Sequence, residues 1–508
     1  MPTTIAILSD LHYADATPIA ARMGHLADVL LLRAVKRLDR YIKPDLVLLL
    51  GDCVDQANAE AAAAQLTTLR DIMAQLSCPW FAIPGNHDPQ PDVFYSVFDR
   101  PDDAVDVAGV RLLSFLDPEA PGYNATRTEA DLARMRTARR DGFVGTVIAA
   151  QHVSLYPAHL QKRLAYSYTN HDAVMHAAMS GGIDLCVGGH SHTNTGIVQH
   201  GSTSFLSVDA LCESPFGYTL VQIDDAASGS SPNPRISSRN EYLAMPAALG
   251  LVDHHSHTQF AYCSENMHAN RSPNLAFAMG LRAQSLTEHS GQLYFTRDDY
   301  WSGHFAEGVS HAKPEDSRIA AYFEATHALR ADNVLVGLEV DADFKGDLVL
   351  RTEDRNKLDV IVGAVHVLRE GQKPHPDVNA FTAEFVAVTE RLCEQGIHVL
   401  AHPFRVFRRK RLTPPPRLYE WLVGVLKRTG VASEMNFHTN EPHAPFVQMC
   451  IESGVPLSLG SDAHNLYEVG EFYPHLALLR DVGVRGDLSR VLWPGPGRAS
   501  QSVPAASG

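Results

Sequence analysis

Short apolar runs and stretches with helical spacing alternate along the first half of this chain. Ile5-Ala6-Ile7-Leu8 is an apolar run of strand length, and an amphipathic stretch over 22–41 predicts the helix that follows it. Asp45-Leu46-Val47-Leu48-Leu49-Leu50 is apolar on both faces, the pattern of a strand covered on both sides. An Ala-rich stretch over 57–76 predicts a second helix, and Pro79-Trp80-Phe81-Ala82-Ile83 a third strand. This βαβαβ rhythm predicts a largely parallel sheet with helices on its faces. Further strands are predicted at 146–150, 184–187 and 218–223.

The rhythm breaks at 224–247. Asp225-Ala226-Ala227-Ser228-Gly229-Ser230-Ser231-Pro232-Asn233-Pro234 is polar and rich in turn formers, and reads as a hairpin tip ending a first domain. A second α/β pattern follows, with strands predicted at 334–338, 360–365 and 398–401. A chain of 508 residues is too long for one ordinary core. The expected division is a first domain over 1–245 and a second over 246–490. Residues 491–508, rich in Pro, Gly, Ser and Ala, predict a disordered tail. The halves show no internal repeat.

Composition narrows the function classes. The hydrophobic content of 45% and charged content of 20% are those of a soluble globular chain. No apolar run reaches the ~18 residues of a membrane-spanning helix, and the N-terminus lacks a signal peptide's basic and apolar regions. Seven cysteines without a CxxC pair point to free thiols and a cytoplasmic location. A net charge of -15 argues against extended nucleic-acid binding, where phosphates need clustered cations. It leaves room for small phosphorylated substrates, because bound metals would supply local positive charge. The 26 histidines are the feature that directs attention to metals.

Eleven of the histidines fall into two sets. The first contains Asp10-Leu11-His12, Gly51-Asp52, Gly85-Asn86-His87-Asp88, His152 and Gly189-His190-Ser191-His192. Each group ends a predicted strand, and strand ends of an α/β sheet form its usual ligand crevice. The second contains His255-Ser256-His257, His289, Glu339, His366, His402 and Asp462-Ala463-His464. A His-x-His in extended chain points both imidazoles to one face. The ligands offer nitrogen and oxygen only, which suits Mn, Fe or Zn. Cys53, directly after Asp52, reads as a small packed residue. The basic run from Arg405 to Arg411 reads first as a solvated face.

The first set, over about 3–225, resembles the calcineurin-like metallophosphoesterase family. The resemblance implies a four-layer αββα fold and a binuclear centre. By this carry-over Asp10, His12 and His192 hold one metal, Asp52 bridges, and Asn86, His152 and His190 complete the second. His87 is implied beside the metals without ligating them, able to hydrogen-bond phosphate or protonate the leaving oxygen.

The second set, over about 250–475, resembles the polymerase-and-histidinol-phosphatase (PHP) family. That implies a distorted (β/α)7 barrel with up to three metals at the strand C-terminal ends. His255, His257, Glu339 and Asp462 would hold one metal, and Glu339, His366 and His402 a second. His289 and His464 would hold the third, with Glu265 as its acid. The family usually has Thr-Asp-His where this chain has Thr287-Glu288-His289. Arg405 is placed to grip a phosphate. Glu434-Met435-Asn436-Phe437-His438 reads equally as a pocket wall or as polar packing.

The expected function is a bifunctional metal-dependent phosphohydrolase. The first domain would hydrolyse a phosphodiester, cyclic phosphodiester or pyrophosphate of a small molecule or nucleotide, and the second the resulting phosphomonoester. Two alternatives stand beside it: a single active phosphoesterase with the other domain regulatory or structural, and a nuclease acting on short oligonucleotides. The expected partner is a small phosphorylated substrate, with no membrane involved.

Overall fold

Two stacked sheets make the core of the first unit. The computed structural model describes residues 2–16, 19–56, 61–156, 166–224 and 235–496, and the chain divides into units Met1–Ala244 and Met245–Gly508. The described strands of the first unit are β1 (Thr3–Leu8), β2 (Leu46–Leu49), β3 (Trp80–Ala82), β4 (Val105–Val107), β5 (Val110–Ser114), β6 (Glu119–Ala120), β7 (Asn124–Ala125), β8 (Thr146–Val153), β9 (Leu185–Gly189), β10 (Val198–His200), β11 (Thr203–Ser207), β12 (Gly217–Asp224) and β13 (Arg235–Tyr242). One sheet has the order β13-β12-β1-β2-β3 and the other β10-β11-β9-β8-β5-β4, with β6 and β7 as a separate pair.

The single, largely parallel sheet suggested by the βαβαβ rhythm is therefore two mixed sheets. Each is parallel at its centre, as in β1–β2–β3 and β5–β8–β9–β11. The first turns antiparallel at one edge, at β1–β12 and the hairpin β12–β13, and the second at both, at the hairpins β4–β5 and β10–β11. The turn-rich segment 225–234 joins β12 to β13 and itself lies outside the described residues.

Alternation along the central strands explains the layering. Ile148 and Ala150 of β8 face Ile5, Ile7, Leu46 and Leu48 of the other sheet. Val147 and Ala149 face outward onto Leu132, Met135, Val174 and Ala177 of helices Glu129–Arg136 and His171–Ser180. A strand buried on both faces must be apolar throughout. That is why β8 appears in the sequence as a run and not as an alternation. Helices Ala27–Arg37 and Ala62–Met73 pack together in the first unit; of the stretch 57–76, residues 57–60 lie outside the described residues.

The second unit is a nearly closed barrel. Its strands β14 (Val252–Ser256), β15 (Ala283–His289), β16 (Val334–Asp341), β17 (Val360–Ala364), β18 (Val399–Leu400), β19 (Ala432–Asn436) and β20 (Leu457–Gly460) pair in chain order, all parallel. A parallel bridge between Ser256 and Ala463 draws the first strand toward the segment after the last. The segment expected to be tail from 491 is held at its start. Leu492 bridges Leu457, and the Trp493 ring lies 4.5 Å from that of His254. Residues 497–508 lie outside the described residues. All seven cysteines are unpaired. Among the described residues no helix is long and apolar enough to cross a membrane.

Candidate metal centres

The ends of β1, β2, β8 and β9 in the first unit converge on one group of donors. Asp10, His12 and His192 bring a ligand atom each within 4.8 Å of one another, and so do Asp52, His152 and His190. Asp52 stands between the groups: its Oδ2 lies 3.6 Å from His12 Nε2 and 3.4 Å from His152 Nε2. Asn86 Oδ1 is 3.1 Å from His152 Nε2. His87 comes as close, with its ring nitrogen within 4.8 Å of donors on His12 and Asp52. Its Nδ1 lies 2.8 Å from the Asp55 carbonyl oxygen, which leaves Nε2 as its other polar atom.

Hydrogen bonds on the far side of each imidazole fix which nitrogen faces inward. His192 Nδ1 lies 2.8 Å from Glu213 Oε1, and His12 Nδ1 lies 3.1 Å from Asp55 Oδ1 and 3.2 Å from Arg22 Nη1, which itself donates to Asp55. His152 Nδ1 donates to the Leu50 carbonyl at 2.7 Å, and His190 Nε2 to the Tyr123 carbonyl at 3.0 Å. A ring that donates from one nitrogen presents a lone pair at the other. The inward atoms then face each other as lone pairs: His12 Nε2 and His192 Nε2 at 3.2 Å, His152 Nε2 and His190 Nδ1 at 3.1 Å. Such pairs repel unless a cation lies between them. Asp10 Oδ1 is also buried without a hydrogen-bond partner. The donor set therefore fits divalent metal. Glu213→Gln is expected to weaken metal retention in this centre by roughly 10- to 100-fold, the usual effect of losing the carboxylate behind a ligand histidine. Chelator titration measures it, and unchanged retention would show that Glu213 is not needed to orient His192.

The backbone is strained where these donors sit. Asp10, His12, Asp52, His190 and His192 all have positive φ, between 47° and 64°. Each such residue costs roughly 1–3 kcal/mol and persists only where its surroundings impose it. Gly85 is needed for close approach: a Cβ there would run into the Asp52 side chain and come within 2.8 Å of His152 Cε1. The charges are strongly interdependent. Burial would raise the Asp10 carboxyl, but the neighbouring His192 and His152 imidazoles hold it down at about 2. Asp88, also buried, is pushed up to about 7 by desolvation and by the charge of Asp52.

In the barrel every strand end contributes. His255, His257, Glu339 and Asp462 form one fully buried group, and His257, His289 and His464 another. Glu339 is the hub. Its Oε1 lies 2.8 Å from His402 Nε2 and 3.1 Å from His366 Nε2, and its Oε2 lies 2.5 Å from His289 Nδ1. His257 Nε2 is 2.8 Å from Asp462 Oδ1. The same orienting device recurs: Nδ1 of His255, His257 and His366 meets Glu434, Glu288 and Asp341 at 2.7, 3.2 and 2.6 Å. His255 Nε2, His289 Nδ1, His366 Nε2 and Glu339 Oε2 are buried with no satisfactory hydrogen-bond partner. These orphaned atoms, converging from several strands, again fit divalent metal. His402 and Asp462 have positive φ here as well.

Two residues of this second set are placed differently from the rest. Glu265 is exposed, and its Oε2 accepts from Asn465 Nδ2 at 2.7 Å. Arg405, expected to grip phosphate, donates from Nη1 to Asp462 Oδ2 at 2.8 Å. One edge of its guanidinium thus orients a ligand carboxylate, while its buried Nε has no partner. Of the carboxylates behind the imidazoles, the sequence motifs include Glu288 and Glu434 without giving either this role, and they do not include Asp55, Asp341 or Glu213. Glu288 beside His289, Asp341 two residues beyond Glu339 and Asp55 three beyond Asp52 had proximity to a motif as a signal. Glu213 had none.

With this geometry in hand, comparison with known families is direct. Residues 3–194 match the calcineurin-like phosphoesterase family, and residues 253–438 match the PHP domain. The chain joins these two domains. No curated protein matches it in sequence. Among solved structures it is similar to a dimetal phosphatase from Danio rerio, at 16% identity and TM-score 0.37, covering 46% of this chain and 98% of that one. It is also similar to purple acid phosphatase PPD1 from seeds of yellow lupin, Lupinus luteus, at 12% identity and TM-score 0.32, covering 48% and 54%. GAP50, the anchor in the inner membrane complex of Plasmodium, aligns at 10% identity and TM-score 0.31, covering 48% and 84%. Two phosphoesterase-family domains with buried His and Asp clusters imply a metal-dependent phosphoric ester hydrolase.

Proposed function

We propose that this chain is a two-site phosphohydrolase. The first domain opens a phosphodiester, cyclic phosphodiester or pyrophosphate of a small molecule or nucleotide, and the barrel removes the phosphomonoester that results. The observation that carries this reading is the contrast in charge between the cavities beside the two centres. Among the described residues, the cavity beside Asn86 and His152, of about 270 Å³, is lined by Asp88, Glu119 and Asp117, the last paired with Arg127, and by no Lys or Arg. The cavity beside His289, His366 and His464, of about 630 Å³, is lined by Arg405, Arg409 and Lys410. A diester carries one negative charge at its phosphorus and tolerates the first lining. A monoester carries up to two, and the second lining favours it.

Asp10, His12, Asp52, Asn86, His152, His190 and His192 would hold the metals of the first centre. His255, His257, His289, Glu339, His366, His402, Asp462 and His464 would hold those of the second. Metals so held supply Lewis acidity and an activated water for attack on phosphorus. His87 is the group placed to give a proton to the leaving oxygen of the first reaction when its ring is doubly protonated: Nδ1–H is held by the Asp55 carbonyl, which leaves Nε2–H as the donor, and the ring packs 4.8 Å from that of His12. Expected for His87→Ala is a fall in diester turnover of roughly 10²-fold or more with metal content retained. Loss of metal along with turnover would make His87 a ligand instead, and full activity would remove it from the mechanism.

The reading as a whole is tested by phosphate release from a cyclic diester, an open diester and a monoester, with protein reconstituted in Mn, Fe or Zn. Release from all three is expected. A protein that splits diesters but leaves every monoester intact would sink the role given to the barrel.

A further inference from the structure

We propose that the barrel cavity contains a second anion subsite, formed by Arg409 and Lys410, which selects phosphomonoesters bearing another anionic group. The proposal rests on the reading of the barrel as a monoesterase.

Arg405 and Arg409 begin and end the short helix Arg405–Arg409, four residues apart, and both line the cavity. That spacing places two guanidinium groups on one helix face, where like charges destabilise each other. The neighbouring basic residue is treated differently: Arg408 pairs with Glu441 at 2.9 Å. Arg405 is committed to Asp462. Arg409 and Lys410 make no ion pair among the described residues, yet both face the cavity. Partial desolvation at the cavity wall and like-charge repulsion from Arg405 push the guanidinium of Arg409, a residue that remains solvent-exposed, below its usual range. An anion in the cavity would relieve that repulsion.

The remaining walls suit an extended substrate. Glu265 is the carboxylate among the lining residues, and its Oε2 is already held by Asn465. Tyr300 stacks on Phe305 at 4.7 Å and lies against Trp301, giving the cavity an aromatic wall. The ligand histidines His289, His366 and His464 belong to the same cavity as Arg409 and Lys410. One phosphate at the centre would leave most of about 630 Å³ for the rest of the molecule. Its second charge would then meet a planar guanidinium and an ammonium.

The test uses the full, Mn-loaded chain and two matched series, alkyl monophosphates and α,ω-alkane bisphosphates with two to six carbons. At the spacer that fits, the bisphosphate should exceed its monophosphate in kcat/KM by roughly tenfold or more, the usual scale of one added charge-assisted contact. In Arg409→Gln with Lys410→Gln that ratio should collapse toward the statistical factor of two. The loss should appear in the KM of the bisphosphate, and Arg409→Lys should restore part of the preference. A ratio near two at every spacer in the wild type overturns the subsite, as does a double variant with the wild-type ratio. If no compound releases phosphate, the monoesterase reading fails instead. Calorimetric binding of the same pairs then decides the subsite: tighter bisphosphate binding that the double variant loses supports it, and equal binding overturns it.

Discussion

Asp52→Ala is expected to strip metal from the first centre, leave the barrel loaded, and lower diester hydrolysis on the order of 10³-fold. Its carboxylate faces both donor sets, with Oδ2 within 3.6 Å of His12 Nε2 and 3.4 Å of His152 Nε2. Without it those imidazoles lose the negative charge that would draw cations to this point, and metals held there would lose the carboxylate that both donor sets share. A loss of that size is what removal of a major electrostatic contributor at an active site produces. The barrel ligands come from other strands of the other unit, so their metal should remain. Wild-type protein prepared with Mn, Fe and Zn should carry more than two transition-metal ions per chain. Elemental analysis showing at most one would end the two-centre account, and loss of all metal in the variant would end the independence of the centres.

The barrel should fail separately. His255→Ala combined with His257→Ala is expected to abolish monoester hydrolysis while sparing the first reaction. His255 Nε2 lies 3.5 Å from both Glu339 Oε2 and Asp462 Oδ1, and His257 Nε2 2.8 Å from Asp462 Oδ1. The double change therefore takes both imidazoles from a group that otherwise keeps only two carboxylates, an assembly of buried like charges. A substrate that the wild type strips fully to inorganic phosphate should now stop at a monoester, which phosphorus NMR would detect as it accumulates. Phosphate still released at the wild-type rate would mean that the barrel is not the phosphatase. If both reactions stop in a folded protein, the two domains do not act independently.

What the sequence alone determined is what depends on local order. The alternation of apolar runs with helical spacing specified α/β architecture, because period two and period 3.6 are properties of neighbouring residues. The motif series carried enough chemistry to place a calcineurin-like domain before a PHP domain. Residues such as Asp10, His12, His255 and His257 stood out because they close strand-like runs, where a sheet gathers its ligands.

The tertiary structure decided what depends on long-range contact. The first sheet became two because β12 pairs with β1 across more than two hundred residues of chain, while β8 and β9 found a separate sheet. The inward nitrogen of each imidazole is set by partners such as Glu213 behind His192 and Glu434 behind His255, the latter 179 residues away. No local pattern encodes such a pairing. The positive φ of Asp10, Asp52 and Asp462 is likewise imposed by surroundings, since these residues would adopt other conformations in an isolated peptide. The same holds for the basic run from Arg405 to Arg411. Its residues look alike in sequence, and only packing sends Arg405 to Asp462, Arg408 to Glu441, and leaves Arg409 and Lys410 on the cavity wall.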